Sequence, residues 1–436
     1  MKKKYRIILY TSIFLLCVVA SIILVVKKSN SVYEEESKPK VVKHKSMLSM
    51  NLEQTAGAGD YKTVTQSSWP TEGYKFNAEL SRCENGSTLS WDDTKKAVIV
   101  SGNLSDKCYV YFDLARFDET CDGSTLACRI AKQYTGTQGE NNIYYHDSDL
   151  ANGAGDNSYR YAGANPNNFV CFGSDTSPCP TDNLYRIIGV FGENYHGVTG
   201  KQLVKLIKYD YMTTDELGTD GDYSQTYKEW GMDSTYKGTY GDGERIGVYY
   251  WNYKATGSAT NTWSTSLLNK TNLNTNFINN IGTTWANKIA TVTWKVGGNT
   301  YANISDVVPA TTYQNEIVNP VTTNTTDNAT TYSAKIGLMY VSDYGFAASP
   351  DAWTLTMSSY NNTTATNNNW MYMGLYEWTF SRNAGGSSGA FYVGSGGGVS
   401  YSYVGLGRGV RASFSLESSV SYVSGSGSMS DPIVIN

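Results

Sequence analysis

"AFYVGSGGGVSYSYVGLGRGVRASFSL", residues 390–416, breaks at its glycines into "AFYV", "VSYSYV" and "VRASFSL", three runs that alternate large apolar side chains with small or polar ones. Period-two alternation between glycine turns is the pattern of a meander of β-hairpins. A phosphate-cradling loop needs its glycines to open an apolar-periodic helix, but each cluster here leads into another strand. The retained strand period argues equally against a disordered tail. Along "VSYSYV", Tyr401 and Tyr403 share one side while Ser400, Ser402 and Val404 take the other, and Phe391 and Val393 oppose Tyr392 in the same way. With Phe391, Val410 and Phe414 expected in the core, an open tyrosine face follows. Its expected ligand-binding residues are Tyr401, Tyr403, Tyr392, Arg408, Trp370 and Tyr372.

Upstream, "LYRIIGVF" (184–191) and "QLVKLIKYDY" (202–211) are the clearest core strands, "AKIGLMYVSDYGF" (334–346) reads as a further strand, and Trp370 to Leu416 forms short strands between glycine turns. "WSTSLLNKTNLNTNFINNIG" (263–282) sets Leu267, Leu273, Phe277 and Ile281 at near-helical intervals, despite the poor helix propensity of asparagine. "TLACRIAKQY" (125–134) spaces Leu126, Ile130 and Tyr134 by four and reads as a short amphipathic helix. "STLSW", "KAVIVSG" and "CYVYFD", between Asn-Gly and Asp-Asp turn signals, predict a small antiparallel β unit. The fold class is therefore α+β, mainly β.

The 436 residues carry a net charge of −4, with Tyr (35) and Trp (10) abundant, so there is no basic field for nucleic acid. The composition instead suits a surface that presents rigid rings beside small polar groups. Residues 7–26 are uncharged and flanked by lysines, long enough for a transmembrane anchor; a cleaved signal peptide is the rival reading, but no A-x-A-like site is evident. Apart from Cys17 in that segment there are six cysteines, none in the spacing of a metal site: Cys83, Cys108, Cys121, Cys128, Cys171 and Cys179. Six cysteines allow 15 pairings; their grouping favours three local disulfides, 83–108, 121–128 and 171–179, and so an oxidising, extracellular setting. The expected organisation is a cytoplasmic N-terminus (1–6), the anchor (7–26), a solvated stalk (27–70), the small disulfide-stapled β unit (71–113), a cysteine-containing connector (114–180) and a C-terminal domain (181–436).

The order "LYRIIGVF", "WSTSLLN…LNTNFINNI", "NWMYMGLYEWTFSR", "AFYVGSGGGVSY" and "GVRASFSL" resembles the C-type-lectin-like domain of uncharacterised Gram-positive bacterial surface proteins, over about residues 181–420. Those proteins typically carry a "WWLRSP"-type strand and a closing "GVRPAL"; this chain has "EWTFSR" and, at Ala412, no proline. The wider fold includes formylglycine-generating enzymes and retroelement variable proteins, so it does not fix function. The enzyme branch uses late reactive cysteines, and here none follows Cys179.

Other chemistry is weakly signalled. "GGSSG" (385–389) matches a nucleophile elbow at Ser387, yet the three histidines, His44, His146 and His196, all precede it. His146 beside Asp147, and Glu377 with Asp343, are acid/base pairs that no spacing compels. "DELGTDGDYSQ" (215–225) and "YGDGERIG" (240–247) leave room for a structural calcium but miss the EF-hand register, and no other cofactor is expected. The expected function is that of an anchored surface protein, partnered by the membrane and by an extracellular glycan or protein ligand bound without catalysis. An inert surface protein and an extracellular enzyme of unrecognised type are the alternatives.

Overall fold

The computed structural model describes residues 48–436 apart from 55–58, 66–67, 71–72, 104, 232–233, 242, 299, 301–305 and 321–328. The expected anchor at 7–26 lies outside the described residues. Among the described residues no helix is long and apolar enough to cross a membrane. The described residues divide into two compact units, one ending at Ala115 and the other running from Arg116 to Asn436.

In the first unit, β1 (Leu48–Glu53), β2 (Tyr61–Val64), β3 (Tyr74–Cys83) and β6 (Cys108–Leu114) form a sheet in the order β2-β1-β6-β3, and β4 (Thr88–Asp92) pairs with β5 (Ala97–Ser101). The three strands read from "STLSW", "KAVIVSG" and "CYVYFD" are β4, β5 and β6. The first two strands are a correction, because they fall inside the segment expected as stalk. "LSMNLE" buries Met50 and Leu52 beside Val110 and Phe112, burial that local composition did not announce. β1 runs parallel to β6, so the unit is not purely antiparallel. Phe112 is the hub, with the rings of Trp69, Phe76 and Trp91 at 5.9, 5.9 and 5.6 Å. Cys83 lies opposite Cys108 in the β3–β6 register and is bonded to it.

In the second unit, β7 (Ile143–Tyr145), β8 (Tyr159–Tyr161), β9 (Phe169–Cys171), β10 (Leu184–Phe191), β11 (Leu203–Lys208), β16 (Ile336–Gly337) and β21 (Ser413–Ser415) build the main sheet, ordered β16-β21-β11-β10-β8-β7 with β9 also on β10. β10 and β11 are buried along their whole length, which accounts for their near-continuous apolar reading. The stretch 114–180, expected as a connector, supplies β7, β8 and β9 to this sheet, so the unit begins at Arg116 rather than at residue 181. Three-residue strands are too short for alternation to reveal. Helix Leu126–Ala131 forms as expected, with Thr125 as N-cap accepting from Cys128 N. The Cys121–Cys128 and Cys171–Cys179 disulfides are present.

The asparagine-rich segment forms wide π-type turns over Leu268–Phe277 that run on into an α-helix, Ile278–Ala286. With i→i+5 bonding the inward positions become Leu268, Leu273 and Phe277, while Leu267 is turned outward. The segment "AKIGLMYVSDYGF" is a strand only at its start: after β15 (Thr331–Ala334, paired with β14, Val292–Lys295) and β16, the chain turns into helix Val341–Phe346. Every residue of that helix is buried, so a helical stripe and a strand alternation are equally invisible there.

The opening glycine-rich stretch is not one meander. β17 (Glu377–Arg382), β18 (Gly389–Val393) and β19 (Val399–Tyr403) make an antiparallel sheet. β20 (Gly407–Arg408) then leaves it to join β13 (Gly247–Tyr250), itself paired with β12 (Tyr223–Thr226), and β21 returns to the main sheet beside β11. The second glycine cluster serves close approach more than turning. A Cβ on Gly407 would lie 2.6 Å from Val248 Cγ1, and one on Gly409 2.9 Å from the Tyr211 ring.

Candidate ligand-binding site

The six residues expected on one face are divided by register. β18 and β19 pair Phe391 with Tyr401 and Tyr392 with Ser400, which puts Tyr401 on the side of Phe391 and Tyr392 on the other. Tyr401 and Tyr403 are 40% and 43% exposed, and the Tyr403 hydroxyl accepts from Ala259 N at 3.1 Å. Trp370 and Tyr372 are core residues. Trp370 Nε1 donates to Tyr161 O at 2.9 Å beneath the Arg186 guanidinium, and the Tyr372 hydroxyl donates to Ser395 O. Tyr401 and Tyr403 stay together on the Phe391 side, and on the other side Tyr392 meets Arg408.

What gathers around that pair is an aromatic cradle. β20 aligns Arg408 with Tyr249 of β13, and the guanidinium carbon stands 3.5 Å from the Tyr392 ring centroid and 5.1 Å from those of Tyr376 and Trp378. Arg408 is 8% exposed, and among the described residues its Nε–H has no acceptor. Burial pulls its pKa down, opposed only by the phenols of Tyr392, Tyr227 and Tyr376. At the rim, Tyr376 and Trp230 are 37% and 42% exposed, with ring centroids 5.9 Å apart. The short helix Tyr227–Trp230 fixes Trp230 through a capping box: Thr226 N donates to Glu229 Oε2 at 2.9 Å while Glu229 N returns to Thr226 Oγ1. That helix buries Tyr227, whose hydroxyl donates to Tyr376 O and accepts from Gly409 N, tying the two strands that flank Arg408.

Sequence reasoning missed Trp230, Tyr376 and Trp378. The T-x-x-E box in "TYKEWG" was a usable signal for Trp230, and the alternation in "LYEWTF" for Tyr376 facing away from Leu375.

The other candidate groups are occupied within the fold. Glu377 and Asp343 do not form a carboxylate pair: Arg411 donates from Nε to Glu377 Oε1 at 2.8 Å and from Nη2 to Oε2 at 3.0 Å, and Asp343 is bound by Lys205. His146 is buried and accepts at Nδ1 from Ala154 N at 3.0 Å, and burial depresses its pKa to about 3, so it is neutral. Ser387 sits between β17 and β18, its carbonyl accepting from Asn261 N, in a strand-to-strand loop rather than an elbow. In the acidic stretch 215–225, Asp222 is spent accepting from Leu268 N at 2.8 Å and Tyr253 N at 3.0 Å. Among the described residues no group of three or more His, Cys, Asp or Glu could hold a metal ion.

Comparison with protein-family models, with curated proteins and with solved structures returned no match to the chain.

Proposed function

We propose that residues 116–436 form a ligand-binding module without catalytic chemistry, held at the cell surface by the apolar segment 7–26, and that its ligand lodges against Arg408, Tyr392, Tyr376 and Trp230. The observation that carries this reading is an arginine 3.5 Å from the Tyr392 ring centroid, with an Nε–H that has no acceptor among the described residues, beside two large exposed rings. Tryptophan, tyrosine and arginine are the residue types that dominate binding energy at interfaces. The reactive-looking ionisable groups Lys205, Asp343, Glu316 and Glu377 are each no more than 2% exposed, out of a substrate's reach. The C-type-lectin-like assignment rests on the order of its five segments, and the extracellular placement on the lysine-flanked apolar run and the disulfides.

The test is a glycan and protein array probed with the full chain in detergent. Capture should disappear when Trp230 and Tyr376 are both changed to alanine, and should survive replacement of His146 or Asp147. The reverse pattern would favour an enzyme. Protease added to intact cells should remove residues 48–436; full protection would place the chain on the other side of the membrane.

A further inference from the structure

Five arginines of the second unit are buried: Arg160, Arg186, Arg382, Arg408 and Arg411. Four are given acceptors by the protein. Arg160 pairs with Asp156 at 2.7 Å and Arg411 with Glu377, Arg186 donates to Asn168 Oδ1 at 2.7 Å and to Pro166 O, and Arg382 donates to Val296 O. Arg408 is the exception: among the described residues no side chain or carbonyl accepts from it, and the groups acting on its charge are phenols. A cation taken out of water without an acceptor is costly, and stacking on aromatic faces returns only part of that cost. Its unspent Nε–H donor is therefore left for an acceptor that the described residues do not supply.

The surroundings specify that acceptor. The guanidinium carbon stands 3.5 Å from the Tyr392 ring centroid, over the ring face, and a guanidinium carries its N–H donors along its own planar edge. That edge matches a carboxylate held by two parallel hydrogen bonds. Beside it, the Tyr376 and Trp230 rings offer flat apolar surface, and Ser400 stands on the same side of the β18–β19 hairpin as Tyr392. Rigid ring platforms suit the apolar face of a pyranose, with hydroxyls left for small polar neighbours. A flexible acidic peptide would satisfy the arginine but leave both rings idle. We propose that Arg408 is the carboxylate-reading residue of a uronic-acid subsite, with Tyr376 and Trp230 stacking on the sugar ring; this rests on the ligand-binding reading above.

Calorimetric titration of the full chain in detergent tests it, using oligogalacturonate, hyaluronan and alginate oligosaccharides, their carboxyl-reduced neutral counterparts, and a hexaglutamate peptide. Binding of at least one acidic oligosaccharide is expected, weakened at least tenfold by carboxyl reduction and by R408Q, partly retained by R408K, and reduced by added salt. The reduced sugars test the wild type directly, so the result stands even if R408Q fails to fold. Equal binding of acidic and reduced sugars, or a preference for the peptide, overturns the uronic-acid inference and leaves the binding function intact. No binding of any acidic sugar also overturns it. If the array captures nothing as well, the binding function falls with it.

Discussion

Lys205 donates from Nζ to Asp343 Oδ2 at 2.7 Å, with the two side chains 1% and 0% exposed. The pair joins β11 to helix Val341–Phe346, and Asp343 also accepts from the Tyr195 hydroxyl and from Tyr340 N. Removing Lys205 leaves Asp343 with only the more distant Arg160 Nη1, at 3.6 Å, as a counter-charge, so K205M is expected to cost about 3 kcal/mol in denaturant unfolding. K205M combined with D343N should cost clearly less than the sum of the two single changes. Strict additivity would mean the two groups do not interact.

Glu316 gives a pH dependence of known sign. Its carboxylate accepts from Val341 N and Ser342 N and from Ser381 Oγ, and burial pushes its pKa up from 4.5 to about 7, with Asp343 adding to the shift. Between those values the folded chain keeps a proton that the unfolded chain releases, so stability falls as pH rises through the window. Buried neutral His146 acts oppositely: its pKa is lowered from 6.5 to about 3, so its contribution falls as pH drops below 6.5. The difference between wild type and E316Q isolates the glutamate. Wild type should lose up to about 3 kcal/mol relative to E316Q from pH 4.5 to 7, measured by urea midpoints. A flat difference curve would show that Glu316 is ionised throughout.

The tyrosines and tryptophan first expected to share a face should now separate by stability. W370A removes a ring that is 3% exposed and a hydrogen bond to Tyr161 O, and should cost about 3–5 kcal/mol. Y401A with Y403A truncates rings that are 40% and 43% exposed and should cost about 1 kcal/mol or less. Thermal melts decide this. With the ligand on the Arg408 side, that double change should also leave array capture unaltered, and lost capture would move the site to the Phe391 side.

Asn272 tests why a helical segment is so rich in asparagine. Its Nδ2 donates to Leu217 O at 2.8 Å and Asp220 O at 3.1 Å, and its Oδ1 accepts from Asp222 N at 3.0 Å. Helix propensity alone predicts that N272A stabilises by several tenths of a kcal/mol. The stranded backbone groups predict a loss of about 2–4 kcal/mol. Stabilisation in chemical unfolding would make the side-chain bonds irrelevant.

The sequence by itself determined the local features. β10 and β11 were legible as apolar runs, β4, β5 and β6 as alternation between turns, helix Leu126–Ala131 from its spacing, and the three disulfides from cysteine grouping. Each depends on residues close along the chain. Tertiary structure decided what depends on distant partners. Alternation shows that Tyr401 and Tyr403 share a side, but only the register with β18 shows that this is the side of Phe391 and not of Tyr392. Composition counts tyrosines and tryptophans without telling a core ring such as Trp370 from a surface ring such as Trp230. Strand β1 and the helix after β16 exist because the core buries them, and β2 because it pairs with β1, whatever their polar or uniformly apolar reading. Arg408 in "GLGRG" was legible as a candidate ligand residue; that its guanidinium lies on Tyr392, and that among the described residues its Nε–H has no acceptor, appears only when β13, β17 and β18 close around it.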